Sequence, residues 1–196
     1  MNSRNDIVII RYNAGNIRSV DFALQRLGLS SEITDDHEKI RNAGKVIFPG
    51  VGEASGTMEH LRERGLDSVI KELKQPVLGI CLGMQLMCRF SEEGNTSCLG
   101  IFDADVVRFR TGKVPHMGWN ELEDLRGYLY DNSAGREFVY FVHSYYVPEV
   151  MNTTAVSDYG CRFSASLERD NFFATQYHPE KSGSYGEKIL QRFIQL

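Results

Sequence analysis

Apolar residues fall in short unbroken runs in the first half of the chain and in alternating segments in the second. Ile7-Val8-Ile9-Ile10 is β-branched throughout, the pattern of a strand buried on both faces. Behind it Ile17, Val20, Leu24 and Leu27 recur at helical spacing, and Gly28 is placed to stop that helix. Val46-Ile47-Phe48 predicts a second buried strand, closed by the turn residues Pro49-Gly50-Val51-Gly52. A helical stretch follows over 58–73, with Gly65 as a candidate break. Residues 76–80 form a third apolar strand and 84–90 the helix after it. Strand and helix in this rhythm predict parallel βαβ units.

The second half reads differently. Segments 105–109, 137–147, 153–159, 163–168 and 172–177 are β-rich and separated by short turns. They predict an antiparallel or mixed extension of a central, mostly parallel sheet, an α/β fold. Residues 185–196 close the chain as an amphipathic helix with Ile189, Leu190, Phe193 and Ile194 on its apolar side. Neither repeat nor linker interrupts the pattern, so 1–196 is read as one domain.

Composition narrows the function. The 196 residues are 42% hydrophobic and 24% charged, which suits a single packed domain. Twenty-two basic against 26 acidic residues leave no basic footprint for nucleic acid or for a membrane surface. Apolar runs stay well short of the ~18 residues that a membrane span needs. Met1-Asn2-Ser3-Arg4-Asn5-Asp6 lacks the apolar stretch of a secretory signal. Cys81, Cys88, Cys98 and Cys161 form neither a disulfide framework nor a C-x-x-C metal motif. A cytoplasmic chain without metal or cofactor is the expectation.

The chemistry concentrates at Gly79-Ile80-Cys81-Leu82-Gly83, a G-x-C-x-G at a strand-to-helix junction. A shuffled chain of this composition would hold about 0.03 such matches. A sharp turn there exposes its central side chain above the sheet edge. Glycines on either side let strand and helix approach each other. Cys81 would sit at a helix N-terminus, which favours thiolate, and the Leu82 N–H would point at an oxyanion on the substrate. A cysteine nucleophile needs a base and an orienter for it. Of the five histidines, His178 opens His178-Pro179-Glu180 at the end of an apolar strand. Proline keeps the preceding residue extended, so residues 178 and 180 share a face and Glu180 can hold the imidazole. His37 and His60 sit in polar surroundings; His116 and His143 are second choices.

Together, Pro49-Gly50-Val51-Gly52, Gly79-Ile80-Cys81-Leu82-Gly83-Met84-Gln85 and His178-Pro179-Glu180 resemble the class I, triad-type glutamine amidotransferases. The resemblance runs over nearly the whole chain. It implies a flavodoxin-like fold and a Cys81–His178–Glu180 triad that hydrolyses glutamine through a γ-glutamyl thioester and releases ammonia. It further implies Gly52 as second oxyanion donor beside Leu82, and Gly50, Gln85, His143, Ser144 and Tyr145 as glutamine contacts. Gly15-Asn16-Ile17-Arg18-Ser19-Val20, Pro115-His116-Met117-Gly118-Trp119-Asn120, Phe141-Val142-His143-Ser144-Tyr145-Tyr146 and Lys181-Ser182 resemble one branch of that family. That branch passes ammonia to a (β/α)₈-barrel cyclase subunit of histidine biosynthesis as a heterodimer. Asn16, the six residues from Pro115 to Asn120, and Lys181 are then expected at the partner face. The Gly50-Val51-Gly52 loop is expected to change conformation, raising activity when the partner covers the site.

Four positions depart from the family pattern: Arg11 and Asn13 in the first loop, Cys98 for glycine, and Tyr177 for phenylalanine. Competing readings are an amidotransferase of another synthase, a cysteine γ-glutamyl hydrolase, and a silent α/β binding module. The Pro115 to Asn120 segment speaks against the first. The complete triad speaks against the last.

Overall fold

The computed structural model describes residues 6–12, 17–131 and 136–196. The expectations placed on Asn13, Gly15 and Asn16 fall outside these residues. The first half runs β1 (Ile7–Ile10), α1 (Ile17–Arg26), β2 (Ser31–Thr34), α2 (His37–Asn42), β3 (Lys45–Gly50), α3 (Ala54–Glu63), α4 (Leu66–Glu72), β4 (Val77–Cys81) and α5 (Leu82–Met87). The second half runs β5 (Phe90–Ser91), β6 (Thr96–Ser97), β7 (Asp105–Arg108), β8 (His116–Leu122), β9 (Glu137–His143), β10 (Tyr145–Tyr146), β11 (Thr153–Asp158), β12 (Arg162–Arg169), β13 (Phe172–Thr175) and α6 (Gly183–Gln195).

Among the described residues one sheet holds seven strands in the order β11-β12-β13-β4-β3-β1-β2. From β13 to β2 every pairing is parallel, while β12 and β11 add antiparallel strands at one edge. This is the mostly parallel sheet with an antiparallel extension that the sequence predicts. Alternation along each strand sends side chains to two separate cores. Val8, Ile10, Val46 and Phe48 pack with α2 to α5. Ile7, Ile9, Ile47, Leu78 and Ile80 pack with α1, α6 and the hairpin β8–β9. In register, Gly50 lies opposite Cys81 and Thr175 opposite Ile80. The carboxyl ends of β3, β4 and β13 therefore finish side by side, where open α/β sheets bind ligands.

Some elements differ from the sequence reading. The 58–73 stretch is two helices that part at Gly65, whose φ of 65° no helix interior accepts. It also begins earlier, at Ala54, because the Glu53 carboxylate caps the N–H groups of Ser55 and Gly56. The helix expected over 84–90 starts at Leu82 and stops at Met87, since Cys88 is already extended. β2 and α2 carry few apolar residues and escaped the pattern. β8 did so too, with Gly118 in its middle, yet it pairs residue for residue with β9.

Candidate active site

Cys81 ends β4 with φ 55° and ψ −110°, a backbone that a residue with a Cβ seldom adopts. The strain belongs to the sharp strand-to-helix turn, and the neighbouring glycines explain how the turn closes. A Cβ on Gly83 would land on the Phe48 carbonyl oxygen of β3. One on Gly79 would meet Met87 Sδ at 2.8 Å, and one on Gly50 would meet Gly83 N at 2.5 Å. Gly50 thus packs against the turn and lets β3 approach it, while its neighbours Val51 and Gly52 line the cleft.

The base arrives from the next strand. His178 follows β13 and is buried, and its Nδ1–H donates to Glu180 Oε1 at 2.8 Å. Two bonds tie this turn to β9: the His178 N–H donates to the Tyr140 carbonyl (3.0 Å), and Ser182 Oγ accepts the Tyr140 N–H (3.0 Å). Ser182 Oγ also donates to the His178 carbonyl at 2.6 Å. α6 closes over the turn because Gly186 offers no Cβ where the Pro179 carbonyl oxygen sits. His178 Nε2 is buried without a nitrogen or oxygen partner, and the Cys81 sulfur is the group that acts on it. Burial pulls the imidazole pKa down. The hydrogen bonds and negative charge of Cys81 and Glu180 outweigh that and push it up to about 10.

Cys81, His178, Val51, Gly52, Leu82, Gln85, Glu93, Pro115, Val142, His143, Ser144 and Tyr145 line one cleft of about 380 Å³, a size suited to a small ligand. Leu82 opens α5 and Gly52 holds φ 125°, so both expected oxyanion donors stand at its wall. Gln85 is clamped there. Its Nε2 protons go to the Tyr145 carbonyl (2.9 Å) and to Gln176 Oε1 (2.9 Å), while Gln176 Nε2 approaches Cys81 Sγ at 3.8 Å. Glu93 and Gln176 were not singled out from the sequence. Glu93 sits on a polar turn with no motif around it. Gln176 directly precedes Tyr177 and His178, a position that could have flagged it.

The expected partner-face residues divide. Met117 is 62% exposed and Trp119 57%, and Pro115 and Lys181 are also exposed. His116 is buried, and Asn120 is half-buried, its amide bonded to the Asp158 carbonyl (2.8 Å). Among the described residues no group of three or more His, Cys, Asp or Glu is arranged to hold a metal ion. No helix among them is long and apolar enough to cross a membrane. Cys88, Cys98 and Cys161 are free thiols away from the cleft; burial pushes Cys98 up to about 12 and Cys88 higher still.

Tyr177, the departure next to His178, is fully buried, and its hydroxyl bonds the buried Tyr130 hydroxyl at 2.9 Å. Removing one partner orphans the other, so Tyr130→Phe is expected to lower stability by about 1–3 kcal/mol. Joining it with Tyr177→Phe should recover most of that loss. Urea unfolding of the two variants checks both outcomes, and equal losses in single and double variants would speak against the pairing.

The family described as glutamine amidotransferase class-I matches residues 8–196 of this chain. A relative from Bacteroides fragilis, named imidazole glycerol phosphate synthase subunit HisH, is 62% identical over 97% of this chain and 99% of its own length. A relative of the same name from Bacteroides thetaiotaomicron is 58% identical over the same shares. Among solved structures, one described as a glutamine amidotransferase superposes with a TM-score of 0.75. It is 19% identical, with 96% of this chain and 97% of that one covered, and supports the fold alone.

Proposed function

This chain belongs to the class I glutamine amidotransferases, and on that footing we propose that Cys81, His178 and Glu180 make it the glutamine-hydrolysing subunit of an imidazole glycerol phosphate synthase. The observation that carries the reading is a buried imidazole whose one nitrogen is held by Glu180 at 2.8 Å and whose other is left to the cysteine of a strained turn. The Cys81 thiolate attacks the side-chain carboxamide carbon of glutamine, forming a C–S bond. Leu82 and Gly52 N–H groups hold the oxyanion. The His178 imidazolium gives its proton to the leaving nitrogen, the C–N bond breaks, and ammonia departs. Water, losing a proton to His178, then forms a C–O bond at the thioester. The C–S bond breaks and glutamate leaves. Glu93 in the cleft wall suits the α-ammonium of a glutamine substrate.

The partner is a (β/α)₈-barrel cyclase, and the hairpin β8–β9 is its docking face. Met117, Trp119 and Phe138 expose apolar surface there, a patch of the kind that marks an interface. Pro115, at the head of the same hairpin, lines the cleft, so a partner seated on this face also covers the site. Work in the cytoplasm, where thiols stay reduced, fits the free cysteines. The test is glutamate production by the chain alone and with a barrel cyclase carrying its nucleotide ligand. A strong rise with the partner is expected. A rate indifferent to it removes the histidine-pathway assignment, and no glutamate in either condition removes the glutaminase itself.

A further inference from the structure

Behind the cleft wall lies a chain of hydrogen bonds whose polarity is fixed at every link. His143, on the last residue of β9, donates from Nδ1 to the Tyr145 carbonyl at 2.8 Å, and a carbonyl only accepts. Its Nε2 lies 3.0 Å from Nδ1 of His116, directly opposite on β8. Both rings are neutral: burial brings His116 down to about 4 and His143 to about 3. A neutral imidazole carries one N–H, so His143 Nε2 accepts and His116 Nδ1 must donate. His116 Nε2 then accepts, from the Asn120 amide at 3.4 Å. That amide is oriented by its bonds to the Glu121 N–H and the Asp158 carbonyl, both 2.8 Å. His116 itself lies stacked between Phe141 (5.0 Å) and Tyr159 (4.0 Å).

We infer that His116 is a positioning residue of the cleft, the proton donor that satisfies Nε2 of His143 and thereby holds that ring, the Tyr145 carbonyl and the Gln85 carboxamide in place. The inference rests on reading the cleft as the glutamine site. Without the His116 donor, His143 keeps its proton on Nδ1 but its Nε2 becomes a buried acceptor with no partner, and the ring gains by turning away. As the ring turns, its Nδ1–H leaves the Tyr145 oxygen and that carbonyl loses its anchor. Tyr145 O is also the anchor of Gln85. With both Nε2 protons of Gln85 committed, its oxygen is the atom offered to a ligand as acceptor. The face of β8 opposite His116 and Asn120 carries Met117 and Trp119, so one strand bears both the positioning donor and the proposed docking surface.

The experiment combines ¹⁵N NMR of the histidine rings with glutaminase kinetics of the assembled synthase. In the unaltered chain at neutral pH, His116 and His143 are expected to be neutral with the proton on Nδ1. His116→Phe keeps a flat ring in the stack without the donor. It should leave the His143 proton on Nδ1, shift the Nε2 resonance as its hydrogen bond is lost, and raise KM for glutamine roughly tenfold, the effect of one lost hydrogen bond, with kcat much less affected. His116→Asn, whose amide N–H replaces Nδ1–H, should recover most of the KM. A His143 proton on Nε2 in the unaltered chain overturns the inference, whether or not the variants fold. So does a folded His116→Phe with KM and the His143 Nε2 resonance unchanged. An unaltered synthase that makes no glutamate defeats the functional reading instead, and the ring tautomers still decide this one.

Discussion

Cys81→Ala is expected to cut glutamate production by a factor on the order of 10⁴ or more, the scale seen when a nucleophile is removed from a triad. The fold should survive, because alanine removes one atom from a turn whose strain lies in the main chain. A second readout separates this from a general loss of structure. His178 is pushed up to about 10 by hydrogen bonds and charge from Cys81 and Glu180 working against burial. Without the sulfur, burial gains ground and the ring should titrate at lower pH, as a histidine NMR titration would show. The sign for stability follows from the same shift. A folded-state pKa above the unfolded value near 6.5 stabilises fully below about pH 6.5, and that contribution fades as pH rises through about 10. In Cys81→Ala the His178 share of this slope should shrink. An unchanged His178 titration in the variant would mean that the sulfur does not act on the ring.

Gly83→Ala is expected to damage the fold severely, with a loss of about 3 kcal/mol or more in denaturant unfolding. The added carbon lands on the Phe48 carbonyl, and neither β3 nor α5 can yield without disturbing the cores on both sides. Gly79→Ala is the control. Its first contact is Met87 Sδ, the end of a flexible side chain, although the Gly83 carbonyl carbon and oxygen follow at 3.1 Å. It should cost clearly less. Equal losses at the two positions would show that the close approach of β3 to the turn is not what demands glycine.

How much of this was legible in the residues depends on how local each signal is. The Cys81 turn and the His178-Pro179-Glu180 segment could be read because glycine spacing, a following proline and flanking apolar strands are all short-range. The βαβ order could be read for the same reason. The pairing of His116 with His143 could not. The two are 27 residues apart and meet only through the register of β8 with β9, and β8 hides behind a central glycine and the lack of any β-branched residue. That same concealment made His116 and Asn120 look like surface residues. Glu93 escaped because one carboxylate on a polar turn looks like any solvated one; only the fold brings it to the cleft. β2 is an edge strand with a single buried residue, so its pattern is polar.

Two glycines that each receive a carbonyl oxygen, Gly83 under the cysteine and Gly186 under the His178 turn, hold the segments that carry the two reacting groups, and the pairing of β4 with β13 sets these side by side through main chain alone. Such a gauge is independent of which leucine, valine or phenylalanine fills either core. Sequences that drift in their interior can therefore differ widely in thermal tolerance while the reacting atoms keep the same separation. Robustness and chemistry become separately adjustable traits, and an engineer could alter the first by repacking without re-tuning the second.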